Sequence, residues 1–267
     1  MSLFISSVFT YDEDAGNYIQ AVEGPSGDNQ ALEPATRKAI NNFVIGCKQD
    51  GIWTAIKASC ILAGARTRLG ALTPLVGTAP TPFNFVDANY NRKTGLVGDG
   101  STKYLNSNRN NNADPQDNHH LSCFLGSTAP DTATFIGSRT TTGFKIILPA
   151  SPSVSNGVLG RRMGANSALT DLGIAGNPTG FHGLSRSASG AFTRRVATAN
   201  ASISATSETT TSSPTYVFAL PTAFNDTTPS TFTATRLAFY SIGESLDLAR
   251  LDARVTDLIN AFAVTIP

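Results

Sequence analysis

The sequence predicts a mainly β chain: an antiparallel jelly-roll-like β-sandwich, preceded by a small N-terminal helical segment and closed by a C-terminal helix. Three observations carry this. From about Ala71, short apolar runs are punctuated by Pro, Gly and Thr at the roughly 8 to 15 residue spacing of antiparallel strands. A helical period is readable only before that point and again at the end of the chain. Polarity comes from Ser, Thr, Asn and Gly rather than charge, as in twisted sheets joined by turn-rich connections.

In order along the chain, Ala15, Tyr18, Ile19 and Val22 fall on one helical face after Asp12 and Asp14, and "GPSGDNQ" stops that segment. A second helix is expected from Pro34, a residue favoured in the first turn, with Ile40, Phe43, Val44 and Cys47 in a stripe before Asp50 and Gly51. In "GIWTAIKASCILAGA", the spacing of Ile52, Trp53, Ile56 and Cys60 predicts a third helix, with Trp53 in the core of this helical head. Residues 1–70 are thus expected to form a helical assembly segment and residues 71–267 the sandwich. Its strand candidates are "FNFV", "KYLN", "HLSCFLG", "TFIGS", "FKIIL", "GVLGRR", "GFHGLSR", "AFTRRVA", "ASISAT", "TYVFAL" and "TRLAFYSIG". The segments between them are too short and polar for crossover helices, which disfavours a parallel α/β sheet. In "TRLAFYSIG", alternation puts Leu237, Phe239 and Ser241 on one side and Arg236, Ala238 and Tyr240 on the other, with one face buried. The last segment places Leu248, Leu251, Val255, Leu258, Ile259 and Phe262 on one helical face, to pack on the sandwich or on a neighbouring subunit.

Composition excludes several partners. A chain of 267 residues can bury a core without disulfides. Charged residues make up 15% of it and balance to +1, which gives no electrostatic reason to expect nucleic acid or a membrane surface as partner. No run of apolar residues is long enough to span a bilayer, and "MSLFISSVFTYDEDAG" lacks the basic start and cleavage site of a secretion signal, so a protein made in a cytoplasm is expected. Cys47, Cys60 and Cys123 lack metal-site spacing and are read as buried thiols, and the two sequons at Asn200 and Asn225 then carry little weight.

The chemistry-bearing residues concentrate in "KTGLVGDGSTKYLNSNRNNNADPQDNHH", from Lys93 to His120. "GLVGDGST" lacks the lysine and strand-to-helix context of a phosphate loop, whereas Asp99-Gly100 has the residues of a tight hairpin turn between "TGLV" and "TKYL". Asp114, Asp117, His119 and His120 are capable ligands, yet adjacent strand histidines point to opposite faces, and a solvated Asn/Asp loop is expected with no metal and no cofactor. None of the strand candidates carries the carboxylate pair of a glycanase, "GLSRS" lacks the glycine pattern of a nucleophile elbow, and His182 reads as a strand residue; no catalytic residue is assigned. Tyr90, Tyr104, Asn108, Arg109 and Asp114 could together supply an aromatic platform and hydrogen-bond partners for a glycan. The arginine pairs Arg161–Arg162 and Arg194–Arg195 are split across two faces and are read as edge or intersubunit ion-pair donors.

The closing "RLAFYSIGESLD", a strand running straight into a helix, resembles the end of a concanavalin A-like lectin/glucanase sandwich of the kind found in many bacteriophage virion proteins. "LEPATRKAINNFVIGCKQDGIWTAIKASCILAGART" followed by "YNRKTGLVGDGSTKYLNSNRNNN" is similar to a module of tailed-phage structural proteins, cyanophages among them. The resemblance implies a concanavalin A-like body and a virion structural protein, a capsid decoration or tail-fibre component working through other virion proteins. It does not imply sugar binding, because a fold does not fix a function. The expected assembly residues are Ile40, Phe43, Leu251, Val255, Leu258 and Phe262, in a homo-oligomer such as a trimer. The alternative is an adhesin that binds host-surface glycan; a glycan depolymerase is a third, lesser reading.

Overall fold

The computed structural model describes residues 10–127, 134–140, 144–151, 158–165, 170–171, 178–196 and 198–267. Helices α1 (Glu13–Glu23) and α2 (Pro34–Gln49) form where the period predicts them, and the same stripes are buried. The Asp12 carboxylate accepts the Asp14 N–H as the cap of α1, and Pro34 opens α2 where no intrahelical donor is needed. A one-turn helix, α3 (Arg68–Ala71), and the C-terminal α4 (Leu248–Thr265) complete the set, with the Asp247 side chain capping the N–H groups of Ala249 and Arg250.

The strands in chain order are β1 (Ile56–Ile61), β2 (Pro74–Val76), β3 (Thr81–Phe83), β4 (Tyr90–Asn91), β5 (Gly95–Val97) and β6 (Tyr104–Asn110). There follow β7 (His119–Leu125), β8 (Ile136–Arg139), β9 (Phe144–Ser151), β10 (Val158–Ala165), β11 (Thr170–Asp171) and β12 (Gly180–Ala188). The series ends with β13 (Ala191–Val196), β14 (Ala199–Ser204), β15 (Pro214–Val217), β16 (Leu220–Pro221), β17 (Pro229–Ser230) and β18 (Arg236–Gly243). They build a nine-stranded sheet, in which β14-β13-β12-β7-β18-β1-β2 run in order with β5 and β4 beside β18, and a seven-stranded sheet ordered β11-β10-β9-β8-β15-β6-β3. Every pairing between the described strands is antiparallel, as the sequence predicts.

Two cores separate three layers. Between the sheets, Ala58, Cys60, Leu121, Cys123, Tyr240 and Ile242 meet Leu105, Ile136, Ile147 and Val217. On the other side of the larger sheet, α1, α2 and α4 cover Ile61, Phe124, Phe181 and Phe239, with Phe43 edge-on to Phe239 at 5.9 Å between ring centroids. Each large apolar side chain buried this way contributes about 1.5–3 kcal/mol.

Four expectations are corrected here. The third helix is instead a 3-10 turn at Trp53–Ala55 followed by β1, which pairs with β18 and β2 inside the main sheet. Because both faces of β1 are covered, its apolar run carries no clean alternation and reads equally as helix or strand. The sheet therefore takes a strand from residues expected to be helical head. Trp53 itself is half-buried, its Nε1–H donating to Asp14 Oδ2 at 3.0 Å. In β18 both faces are buried, and a bulge against β7 between Leu237 and Phe239 breaks the phase. Leu237 thus joins Tyr240 and Ile242 between the sheets, while Ala238 and Phe239 lie under the helices.

The remaining two corrections concern surfaces. Ile40, Phe43, Leu251, Val255, Leu258 and Phe262 are each no more than 3% exposed and fill the core between α2, α4 and the sheet, so they are not free assembly surfaces. Amphipathic stripes on neighbouring elements find each other first. Likewise Arg195 binds Asp252 of α4 at 2.7 Å, an ion pair within the chain rather than between subunits. Arg194 is buried, and Arg161 and Arg162 lie on β10, whose side chains are outside the described residues.

Candidate ligand-binding face

The Lys93–His120 stretch crosses between the two sheets. Asp99-Gly100 forms a turn, with Gly100 at φ +73°, but not a hairpin, because β5 pairs with β18 in one sheet and β6 with β15 and β3 in the other. Asp99 Oδ1 accepts the N–H groups of Ser101, Thr102 and Lys103 at 2.8–3.0 Å. Burial acts to raise the Asp99 carboxyl, but the bonds from Thr102, Lys103 and Ser101 outweigh it and hold the acid well below the usual carboxylate range.

This turn delivers β6 with a fixed phase. Leu105, paired with Val217, joins the fully buried row continued by Ile136 and Ile147, so Tyr104 points to the face turned away from the larger sheet. Tyr104 pairs across the edge strand with Phe83, and their rings stack in parallel, 4.3 Å apart with 1° between planes. Tyr216 and Phe232 pack on Tyr104 at 4.9 and 6.1 Å, and the Tyr216 hydroxyl donates to the Thr227 carbonyl oxygen at 2.5 Å. Burial, with the Tyr104 and Asp226 charges behind it, pushes the Tyr216 phenol up to about 12, so it stays protonated. Tyr104 is only 9% exposed and Phe83 is 37% exposed: the outer ring of the stack is the one that meets solvent.

Polar side chains border the stack. Half-exposed Asn106 lies opposite Thr81 of the edge strand. Asn108, in the left-handed region at φ +56°, reaches back across the strand, its Nδ2 donating to the Ala79 carbonyl at 2.7 Å and to Thr81 Oγ1 at 3.0 Å. The short Asn side chain tolerates that backbone and locks β3 in register.

Of the five residues expected to form a platform, Tyr104 and Asn108 come together here. Arg109, near the end of the same strand, and Asp114, beyond it, close on each other, Nε to Oδ2 at 3.1 Å and Nη2 to Oδ1 at 2.5 Å, with Arg109 also donating to the Ala113 carbonyl. Asp114 is 1% exposed and Asn111 fully buried, while Asn112, Ala113 and Pro115 are exposed, so the expected solvated loop is anchored at two points. Tyr90 is elsewhere: its hydroxyl donates to the Ala65 carbonyl at 2.7 Å and its ring packs against both cores, where burial pushes the phenol strongly up. The sequence reading missed Phe83, Asn106, Tyr216 and Phe232. Phe83 was visible within "FNFV", but the strand is Thr81–Phe83 and ends at Asn84, whose φ of +61° stops it one residue into that run.

A serine–histidine pair also went unread. His120 Nε2 lies 2.7 Å from Ser241 Oγ, and His120 Nδ1 lies 2.6 Å from the Glu244 carbonyl oxygen. The carbonyl can only accept, so Nδ1 carries the proton and donates to it, which in the neutral ring leaves Nε2 to accept from the serine hydroxyl. Both residues are fully buried, so no substrate reaches the hydroxyl, and the pair fastens β7 to β18 and to the loop leading into α4. His182 is buried on β12, with Nε2 2.9 Å from the Pro178 carbonyl oxygen. Among the described residues, no group of three or more His, Cys, Asp or Glu is placed to hold a metal ion, and no helix is long and apolar enough to cross a membrane.

No family model matches the sequence, and no curated protein matches it. Among solved structures, the chain is similar to an HCR/D mutant, with 13% identity and a TM-score of 0.40 over 76% of this chain and 50% of the other. It is also similar to the botulinum neurotoxin serotype D binding domain, at 11% identity and a TM-score of 0.40, covering 76% of this chain and 51% of that one. The chain spans about half the length of these solved chains.

Proposed function

We propose that this chain is a non-enzymatic, lectin-like recognition module that binds glycan at the exposed edge of its smaller sheet. The observation that carries the proposal is the Phe83–Tyr104 stack: a solvent-facing aromatic ring, backed by a buried one, with Asn106, Asn108 and Thr81 alongside. Sugar rings present an apolar face and a rim of hydroxyls, and a rigid aromatic beside amide and hydroxyl groups matches both. The backing ring fixes Phe83, so little side-chain entropy is lost on binding. The setting that goes with this reading is the surface of a tailed-phage particle, where such a module would meet host-surface glycan. The burial of the helical stripes supports recognition over assembly through the helices.

The test is binding of host-surface polysaccharide by calorimetry, comparing the native chain with Phe83→Ala. Removing one exposed platform ring costs about 1–2 kcal/mol, a roughly five- to thirtyfold loss of affinity, while the far-ultraviolet circular dichroism stays native. Unchanged affinity in Phe83→Ala, or no glycan bound by the native chain, overturns the proposal. Release of reducing ends from any bound polysaccharide would replace it with the depolymerase reading.

A further inference from the structure

We infer that β14 is an interface strand through which two copies of this chain pair edge to edge, extending the nine-stranded sheet across a two-fold axis. An edge strand leaves a row of backbone N–H and C=O groups without sheet partners, and proteins that stay monomeric guard such edges with prolines, charges, bulges or short strands. Among the described residues, the other ends of the two strand orders are guarded in this way. β2 is three residues long, starts at Pro74 and meets a register shift in β1; β3 is also three residues, with Pro82 at its centre; β11 is two residues and carries Asp171. β14 is different. It runs for six residues, Ala199 to Ser204, and pairs with β13 through six successive partners without a register shift. It contains no proline, no glycine and no charged residue, and Ala199, Asn200, Ser202 and Ser204 are exposed. Ile203 packs inward on the core between the sheets, and Asn200 accepts from Arg195, which is itself held by Asp252 of α4, so the strand is fixed in place.

The occupant is argued from the strand's own sequence. "ANASIS" paired antiparallel with itself about Ser202 sets Ser202 opposite its own copy, Ala201 opposite Ile203 and Asn200 opposite Ser204, each pair on one face of the sheet. No like charges meet, and the small side chains let the backbones approach to hydrogen-bonding distance. Such an isologous contact closes at two copies, so this edge makes a dimer and not a trimer. A single strand pair is about 20 Å long and sits at the low end of interface sizes, so a weak, reversible dimer is expected. The inference is independent of the glycan reading, whose residues lie at the edge of the other sheet.

The test is sedimentation equilibrium of the native chain, Ser202→Lys and Ser202→Glu, each alone and as an equimolar mixture of the two variants, over about 1 to 100 μM. The native chain is expected to go from monomer to dimer. Each variant, with a like charge facing its own copy, should need at least tenfold higher concentration to dimerise, and the mixture should recover dimer by pairing Lys with Glu. Native circular dichroism in both variants shows that the fold is kept. A native chain that stays monomeric across the range, a trimer, or a dimer indifferent to both substitutions overturns the inference.

Discussion

The seat of Phe262 can be tested by a single methyl group at Gly64. Gly64 has φ +88°, its N–H donates to the Arg92 carbonyl at 2.7 Å, and a Cβ placed on it would lie 2.7 Å from two ring atoms of Phe262. Phe262 is fully buried, so its ring cannot swing aside without opening the helix–sheet core. Gly64→Ala thus combines a left-handed backbone penalty of about 1–2 kcal/mol with an overpacking term of about 1–3 kcal/mol, roughly 2–5 kcal/mol in all. Gly51→Ala isolates the first term, because Gly51 has φ +72° and nothing within 4 Å of its would-be Cβ. Urea denaturation of the native chain and both variants, followed by tryptophan fluorescence and circular dichroism, gives the difference directly. Gly64→Ala should be the less stable by at least about 1 kcal/mol. Equal losses would refute the argument that Phe262 is sealed against this loop, and would reopen the view of α4 as a surface helix awaiting a partner.

Two further outcomes are expected. The folded Asp99 carboxyl titrates below its unfolded value, so its stabilising contribution is fully present above the ordinary aspartate range near pH 4 and is lost as pH falls below it. Denaturation curves from about pH 5 down to pH 2.5 should therefore show a steeper loss for the native chain than for Asp99→Ala, and parallel slopes would refute this. Arg186 is fully buried, its Nη1 within 3.2 Å of the carbonyl oxygens of Ala188, Ser189, Ala191 and Ala205 and its guanidinium 5.4 Å from the Phe192 ring. Arg186→Met strips those carbonyls of a donor while keeping most of the side-chain volume, and should cost about 3 kcal/mol or more in thermal or urea unfolding. A loss under about 1 kcal/mol would show that the clamp on the β12–β13 turn is replaceable.

What the sequence by itself determined is the set of features that one element can express alone. The stripes Ala15–Tyr18–Ile19–Val22 and Leu251–Val255–Leu258–Phe262 specify their helices because one face is apolar and the other is not. The caps at Asp12 and Asp247, the Pro34 start and ten of the eleven strand candidates are local in the same sense, each needing only its own neighbours in the chain. Tertiary structure alone decided the rest, wherever an element's identity depends on what covers it. β1 could not be told from a helix because two layers bury both its faces. The bulge in β18 exists only against β7, and the Asp99-Gly100 turn became a bridge between sheets rather than a hairpin because β5 and β6 found different partners. The candidate site divides along the same line. Tyr104 and Asn108 were legible as polar and aromatic residues in one strand, but the platform depends on Phe83 arriving opposite Tyr104 from 21 positions earlier in the chain, and Arg109 and Asp114 were spent on each other. Side-chain chemistry is written in the sequence; which groups remain free to meet a ligand is settled only by the packing that uses up the others.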